Sequence, residues 1–484
     1  MAHPADWSLD PRVRRILGGL PLPIKLPTPL HRDDSDAPSL AGYRAGMTQL
    51  RDDLDLALAL HLIDRGAALS AVDAQPKAEF ADRLRAAGAQ VTPPAGDLAA
   101  TLASVAAQGD RRPLLLVHRL TVPADTDVAG LPTADLTDRL YQAGQAAALA
   151  PKLSKLVIVA DVPPRPTIGQ SVSLAAAAGM LRSLHKELGP TGGTCHLLRS
   201  EGAEPTAVAE AVGYLLSGGA AFLTGLDLTA AASRGPATAP TGRVALVTGA
   251  ARGIGAAIAQ RLAKAGCTVW INDVPQAQQA ADATAAAIVA AGGQAHFVGA
   301  DCSTADGAAA IARALQPGAR LDVVVHNAGI TRDKTLKRLA LAQWRQVLAV
   351  NLSAMQRIQT AVDPLLQPGA SVIMLSSVMG IAGNFGQTNY TASKAGVIAL
   401  CQAWSQAWQA RGIRCNAIAP GFIVTEMTAQ VPLFNREMAK QLTALLQPGL
   451  PQDVAALAAF LAAPASRALS GQVVRCDGGM AFGA

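Results

Sequence analysis

The stretch that most narrows the fold is Val244-Ala245-Leu246-Val247-Thr248-Gly249-Ala250-Ala251-Arg252-Gly253-Ile254-Gly255. Its four leading apolar residues read as a short buried strand, and Ile258, Leu262 and Ala265 recur beyond it at helical spacing. The glycines between them let the backbone approach a pyrophosphate at the N-terminus of a helix, where free N–H groups and the helix dipole favour an anion. Strand, glycine loop and helix in this order open a parallel α/β sheet. Asp273 ends the next strand candidate, 18 residues beyond Gly255. A carboxylate there accepts hydrogen bonds from the adenosine ribose hydroxyls and repels a 2′-phosphate, which favours NAD(H) over NADP(H), although Arg252 would reach a phosphate.

Tyr390 and Lys394 stand four residues apart and would share one helical face. A phenol titrates near ~10 and serves as an acid at neutral pH when a neighbouring cation stabilises its phenolate, so Lys394 is expected to lower the Tyr390 pKa. Upstream, Val372-Ile373-Met374-Leu375 reads as a buried strand ending in Ser376-Ser377, from which Ser377 would project toward Tyr390. Reducing a ketone needs a hydroxyl that holds the carbonyl oxygen and a phenol that gives it a proton, and Ser377 and Tyr390 would supply them.

The T-G-x-x-x-G-I-G run ending at Gly255, Asn327-Ala328-Gly329, the strand-end Ser377 and the Tyr390/Lys394 pair together resemble the short-chain dehydrogenase/reductases. Asn327 to Asp333, Gly383 to Tyr390 and Pro420 to Thr425 resemble the 3-oxoacyl-ACP reductases, the FabG group, over about Thr241 to Ala484. The resemblance implies a catalytic set of Asn351, Ser377, Tyr390 and Lys394, in which the Asn351 backbone holds a water that links Lys394 to solvent. It further implies that Gly249, Arg252, Gly253, Ile254 and Gly255 hold the pyrophosphate, and that Asp301 and the Cys302 backbone meet the adenine. Asn327, Ala328 and Gly329 would let the backbone approach the cofactor. Tyr390 and Lys394 would face the nicotinamide ribose, while Pro420, Gly421, Ile423 and Thr425 border its carboxamide. His326, where the family usually has asparagine, reads as a strand-end packing residue.

The expected reaction is NADH-dependent reduction of a 3-oxoacyl thioester carried by acyl carrier protein or coenzyme A. A dehydrogenase acting on another alcohol or ketone, and a non-catalytic binding or scaffold protein, are the alternatives. Glu426 to Pro448 would form either an apolar lid over an acyl chain or a dimer surface. By the family pattern, Val397 to Trp408 and Asp477 to Ala484 would make homodimer or homotetramer contacts.

With 484 residues, 50% hydrophobic and 16% charged, two domains are expected. The net charge of +6 is scattered, without a lysine-rich tail or an aromatic-interleaved basic patch, which argues against nucleic-acid binding. Such a surface suits an acidic carrier or the phosphates of coenzyme A as well as plain solvation. Cys195, Cys267, Cys302, Cys401, Cys415 and Cys476 form no C-x-x-C pair, so no metal is expected. No apolar run reaches the ~18 residues of a membrane span, and a cytoplasmic location is expected.

The N-terminal half repeats the pattern in order. Gly66 to Asp73 parallels Gly266 to Asp273, Leu115 to His118 parallels Val324 to His326, and Val157 to Ala160 parallels Val372 to Leu375. This predicts two Rossmann-like doubly wound parallel α/β domains, the N-terminal one degenerate and either Rossmann-like or flavodoxin-like. Expected limits are an extended arm at 1–45, the degenerate domain at 46–230, a linker at 231–240 and the catalytic domain at 241–484. Opposite the glycine loop, residues 49–55 hold no glycine, and Asp52, Asp53 and Asp55 would repel a pyrophosphate. Opposite Tyr390 and Lys394, Ser173 and Ala177 are expected.

Overall fold

The computed structural model describes residues 27–33, 39–72, 77–92, 112–120, 134–232, 235, 242–315, 320–429 and 433–480. The first 26 residues of the expected arm, and most of the expected linker, lie outside them. Two seven-stranded parallel sheets hold the chain together. The first contains β1 (Arg44–Met47), β2 (Ala68–Val72), β3 (Gln90–Thr92), β4 (Leu114–Leu120), β5 (Lys155–Asp161), β6 (Thr194–Glu201) and β7 (Leu226–Ala231). The second contains β8 (Val244–Thr248), β9 (Thr268–Asp273), β10 (Gln294–Gly299), β11 (Leu321–His326), β12 (Leu366–Leu375), β13 (Arg414–Pro420) and β14 (Val473–Cys476). Spatial order is β3-β2-β1-β4-β5-β6-β7 in one and β10-β9-β8-β11-β12-β13-β14 in the other. Both follow the Rossmann 3-2-1-4-5-6 order, and the first sheet is therefore not of the flavodoxin 2-1-3-4-5 type. β1 begins at Arg44, inside the segment expected as an extended arm.

The repeat holds in register as well as in order. Ala45 sits beside Leu115 as Ala245 sits beside Val323, and Leu115 beside Lys155 as Val323 beside Ser371. The helix after the first strand spans Asp53–Asp64 in one half and Gly253–Lys264 in the other. Extending this register to the strand ends places Asp52, Asp55, Arg119 and Asp161 where the second half has Arg252, Gly255, Asn327 and Ser377. The pairing of Ser173 and Ala177 with Tyr390 and Lys394 is corrected. The helices Ile168–Leu188 and Thr388–Ala407 each run into a 3-10 turn closed by a left-handed glycine, Gly192 and Gly412, which sets Gln170 and Leu174 opposite the pair.

Strands β4, β5, β11 and β13 are buried along almost their whole length, as a sheet covered by helices on both faces requires. One apolar core runs continuously from the first half into the second. Across that joint the Tyr214 and Phe460 rings stack at 3.8 Å and 3°, Ala231 N–H donates to the Ala468 carbonyl at 2.9 Å, and Arg467 pairs with Glu210. Arg32, ahead of β1, pairs with Asp453 of the second half at 2.7 Å.

Candidate active site

The site is built where β8, β11 and β12 end. The Thr248 hydroxyl accepts the backbone N–H groups of Asn327 and Ala328, both at 3.1 Å, and the Asn327 amide donates to the carbonyls of Thr248 and Gly249 at 3.0 and 2.8 Å. These bonds tie the glycine loop to the end of β11. A Cβ on Gly255 would meet the Gly249 carbonyl at 2.2 Å and the Asn327 amide at 2.5 Å, so the loop closes only with glycine there. Gly253, at φ +60°, has nothing within 4 Å of its Cβ position, leaving open space at the start of the Gly253–Lys264 helix. An open cradle lined by the first N–H groups of a helix fits a dinucleotide pyrophosphate.

Asp273 closes β9 with its carboxylate accepting Ala251 N–H at 3.1 Å and Val274 N–H at 2.9 Å. It is thereby fixed beside the glycine loop. Arg252 is exposed and stands 3.7 Å from the equally exposed Glu426, so its guanidinium is only weakly held. Asp301 accepts the Ser303 N–H and hydroxyl at 2.9 and 2.7 Å, which makes it first of all a turn residue. Cys302 follows it, buried, with its thiol pushed up to about 12 by desolvation and the nearby carboxylates of Asp301 and Asp273.

Asn351 lies in a single π-helical turn, Ala349–Ser353, and is fully buried. Its carboxamide accepts Ile330 N–H at 2.8 Å and donates to the Ile330 carbonyl at 3.0 Å and the Ser393 hydroxyl at 3.1 Å. Ser393 in turn donates to the Tyr390 carbonyl at 2.7 Å. The π-turn, the segment after β11 and the Thr388–Ala407 helix are thus locked together by one amide. A Cβ on Gly329 would stand 3.4 Å from both the Asn351 Oδ1 and the Lys394 Nζ, so these three positions converge.

Ser377 caps the short helix Val378–Ala382 by accepting Met379 N–H at 3.1 Å, and its hydroxyl stands near enough to the Tyr390 phenol to oppose the rise in its pKa. Lys394 is buried, donates to the Leu375 carbonyl at 2.6 Å, and holds its ammonium 5.7 Å from the Tyr390 ring centre. Burial brings Lys394 down to about 8. The expected lowering of Tyr390 is not the balance found. Burial raises the phenol, the Ser377 hydroxyl opposes this, and the Asp333 carboxylate adds to the rise. The lysine spends its shortest bond on the β12 carbonyl, whereas a 5.7 Å approach to the ring leaves it a weaker influence on the phenol.

Pro420 ends β13, and Gly421 N–H donates to the Cys476 carbonyl at 3.0 Å. Ile423 is buried, and Thr425 bonds through its N–H to the Thr428 hydroxyl at 2.7 Å. His326 is buried against Gln359 at 3.2 Å and lowered to about 4 by desolvation, in keeping with a packing role. Residues not singled out from the sequence also shape the site. Asn389 accepts Tyr390 N–H at 2.8 Å and donates to the Arg332 carbonyl at 3.2 Å, while Gln387 donates to Asp333 at 2.7 Å. Their sequence signal is membership of the Asn327 to Asp333 and Gly383 to Tyr390 stretches that carry the resemblance, without a role for each residue.

In the first half the corresponding cleft is filled by its own side chains. Arg119, buried, donates to Asp55 at 2.8 Å and Asp52 at 3.2 Å and pairs with Asp161. Two of the three aspartates expected to repel a pyrophosphate, Asp52 and Asp55, instead hold a guanidinium that stands at the level of Asn327.

A family model described as "Enoyl-(Acyl carrier protein) reductase" matches residues 249–481. A 3-oxoacyl-[acyl-carrier-protein] reductase of Synechocystis sp. is 43% identical over 247 residues, which is 50% of this chain and 98% of that protein. The Thermotoga maritima 3-oxoacyl-[acyl-carrier-protein] reductase FabG is 39% identical over 242 residues, covering 49% and 98%. A solved short chain dehydrogenase from Burkholderia cenocepacia J2315 in complex with NADP is 34% identical, with 49% of this chain and 97% of that one covered at a TM-score of 0.47. Through its C-terminal half, with the glycine loop tied to β11 and Ser377 set against Tyr390, this chain belongs to the short-chain dehydrogenase/reductase family of oxidoreductases.

Proposed function

We propose that the protein is an NADH-dependent reductase that converts a 3-oxoacyl thioester of acyl carrier protein or coenzyme A to the 3-hydroxyacyl thioester. The observation that carries this reading is the meeting of Ser377 and Tyr390 at the end of β12, with Lys394 and Asn351 behind them. A nicotinamide held beside these residues would supply the hydride for the carbonyl carbon. Ser377 holds the substrate oxygen, and Tyr390 gives it a proton. With its pKa raised by burial, the phenol is protonated at neutral pH and ready to donate. Lys394, largely cationic below about 8, would stabilise the phenolate that remains and hold the nicotinamide ribose. Asn351 fixes the carbonyl and N–H of Ile330 and, through Ser393, the backbone of Tyr390.

The glycine loop with Gly249, Gly253 and Gly255 would hold the pyrophosphate, Asp273 the ribose hydroxyls, and Ile423 and Thr425 the carboxamide. Arg332, Lys334, Lys337 and Arg338 follow the Asn327-Ala328-Gly329 turn and would meet the phosphates of the carrier. The test is the initial rate of NADH and NADPH oxidation at 340 nm by the full chain with acetoacetyl-CoA. Oxidation preferring NADH is expected. Absence of turnover with both cofactors, despite NADH binding, would refute the thioester assignment.

A further inference from the structure

Phe222, in the turn between the Pro205–Leu216 helix and β7, is among the largest fully buried side chains of the protein. It belongs to the half without a glycine loop, yet it reaches into the other half. Its carbonyl accepts Gly478 N–H at 3.1 Å. Its ring lies where Cβ atoms on Gly449 and Gly478 would approach it at 2.5 and 2.7 Å, so both positions are open to Phe222 only as glycine.

Gly449 carries this contact onward. Its N–H donates to the Phe422 carbonyl at 3.0 Å, its carbonyl accepts Val424 N–H at 2.9 Å, and it forms a parallel bridge with Ile423. The same Cβ position on Gly449 that meets Phe222 would meet Ile423 Cδ1 at 2.4 Å. Phe222, Gly449 and Ile423 therefore lie in one packed line, and Ile423 borders the cofactor in the reading above. Gly478 and Gly479 accept Leu445 and Ala444 N–H through their carbonyls, both at 3.2 Å. Around this point, Thr224 and His185 crowd Gly479, and the Gln447 amide donates to the Thr28 carbonyl at 3.0 Å. The end of the Glu426 to Pro448 segment is thus pinned to the first half, and Leu445 is fully buried. That part is neither a free lid nor an exposed dimer surface.

We propose that the N-terminal half is a built-in buttress for the loops around the cofactor and substrate, with Phe222 as its positioning residue. Residues 443–449, 478–479 and 422–424 are three backbone segments outside the helices and strands of the sheet, joined by isolated bridges and single backbone bonds rather than by a continuous ladder. A bulky side chain driven into their junction removes the space in which they would shift, and so sets Ile423 and Thr425 without touching any ligand. This rests on the placement of Ile423 at the cofactor, and its test includes a readout independent of that placement.

The experiment uses full-length Phe222→Leu and Phe222→Ala, with Phe460→Leu as a matched lesion at the Tyr214 stack elsewhere in the joint. Amide hydrogen exchange is followed in the cofactor-free chains, and NADH dissociation constants are measured by fluorescence titration. The Leu445 and Gly449 amides are expected to exchange at least about tenfold faster in the Phe222 variants than in Phe460→Leu. NADH affinity is expected to fall about 10- to 100-fold in Phe222→Ala, with Phe222→Leu between it and the parent. Equal exchange at Leu445 and Gly449 in the Phe222 and Phe460 variants would overturn the proposal, whether or not the parent binds NADH. Faster exchange combined with unchanged NADH affinity would also overturn it, since the loops would then move without consequence for the cofactor. Phe222→Leu, which keeps most of the buried volume, decides the matter if Phe222→Ala does not fold.

Discussion

Asp273→Asn should move cofactor preference toward NADPH, and the structure explains why asparagine is the sharper substitution. The Asp273 carboxylate accepts Ala251 N–H at 3.1 Å, and Ala251 is buried in the glycine loop. Asp273→Ala would leave that donor unpaired at a cost of about 1–3 kcal/mol, weakening both cofactors alike. Asparagine keeps an oxygen for the buried Ala251 N–H and removes the charge, giving up only the exposed acceptor of Val274 N–H, which water can replace. A 2′-phosphate placed about 5 Å from the carboxylate is repelled by roughly 1–3 kcal/mol per charge, taking an effective dielectric between that of water and that of a protein surface. Removing this repulsion should raise the ratio of kcat/KM for NADPH to that for NADH by about 5- to 150-fold. The exposed Arg252, held among the described residues by a 3.7 Å contact to the exposed Glu426, can turn toward the new phosphate. Initial rates with both cofactors at fixed acetoacetyl-CoA supply the ratio. A ratio unchanged in Asp273→Asn would refute charge selection at this position. A ratio raised only in Asp273→Ala would show that loop relaxation, not repulsion, governs the choice.

Tyr390→Phe should lower kcat by at least about 10³-fold while NADH affinity stays within about threefold, because it removes a proton donor and little contact area; a fall of less than tenfold would remove Tyr390 from the role of acid. Because burial brings Lys394 down to about 8, its cation is present below that pH and lost above it, so kcat/KM for reduction should fall as pH rises through about 8, approaching tenfold per unit. A flat profile to pH ~10 would mean that the Lys394 charge is not used. Arg119→Met strips the partner from the fully buried Asp55 and should cost about 3–5 kcal/mol of stability, read from urea unfolding; less than 1 kcal/mol would show the cluster to be unimportant. Since Arg119 and its aspartates fill the first cleft, NADH titration should saturate at one equivalent per chain, and two equivalents would contradict that closure.

Much of this architecture is local information and so was legible along the chain. The glycine loop, the strand ends at Ser377 and Asp273, and the four-residue spacing of Tyr390 and Lys394 each depend on neighbours within about one turn or one strand. The duplicated order of apolar runs likewise determined that there would be two parallel α/β sheets, because strand and helix periods are written in consecutive residues. Other features depend on contacts between distant segments. The choice of the Rossmann order for the first sheet came from the pairing of β1 with β2 and β4. Burial, the Ser377 hydroxyl and the Asp333 carboxylate act together on the Tyr390 phenol, and no spacing rule states which of them prevails. Asp52 and Asp55 read alone as a repulsive patch, because Arg119 stands more than sixty residues away and joins them only when β4 takes its place beside β1. Phe222 carries no motif at all. Its meeting with Gly449 and Gly478 is created by the packing of one sheet's helices against the other's, and packing between surfaces far apart in sequence is what only the tertiary structure decides.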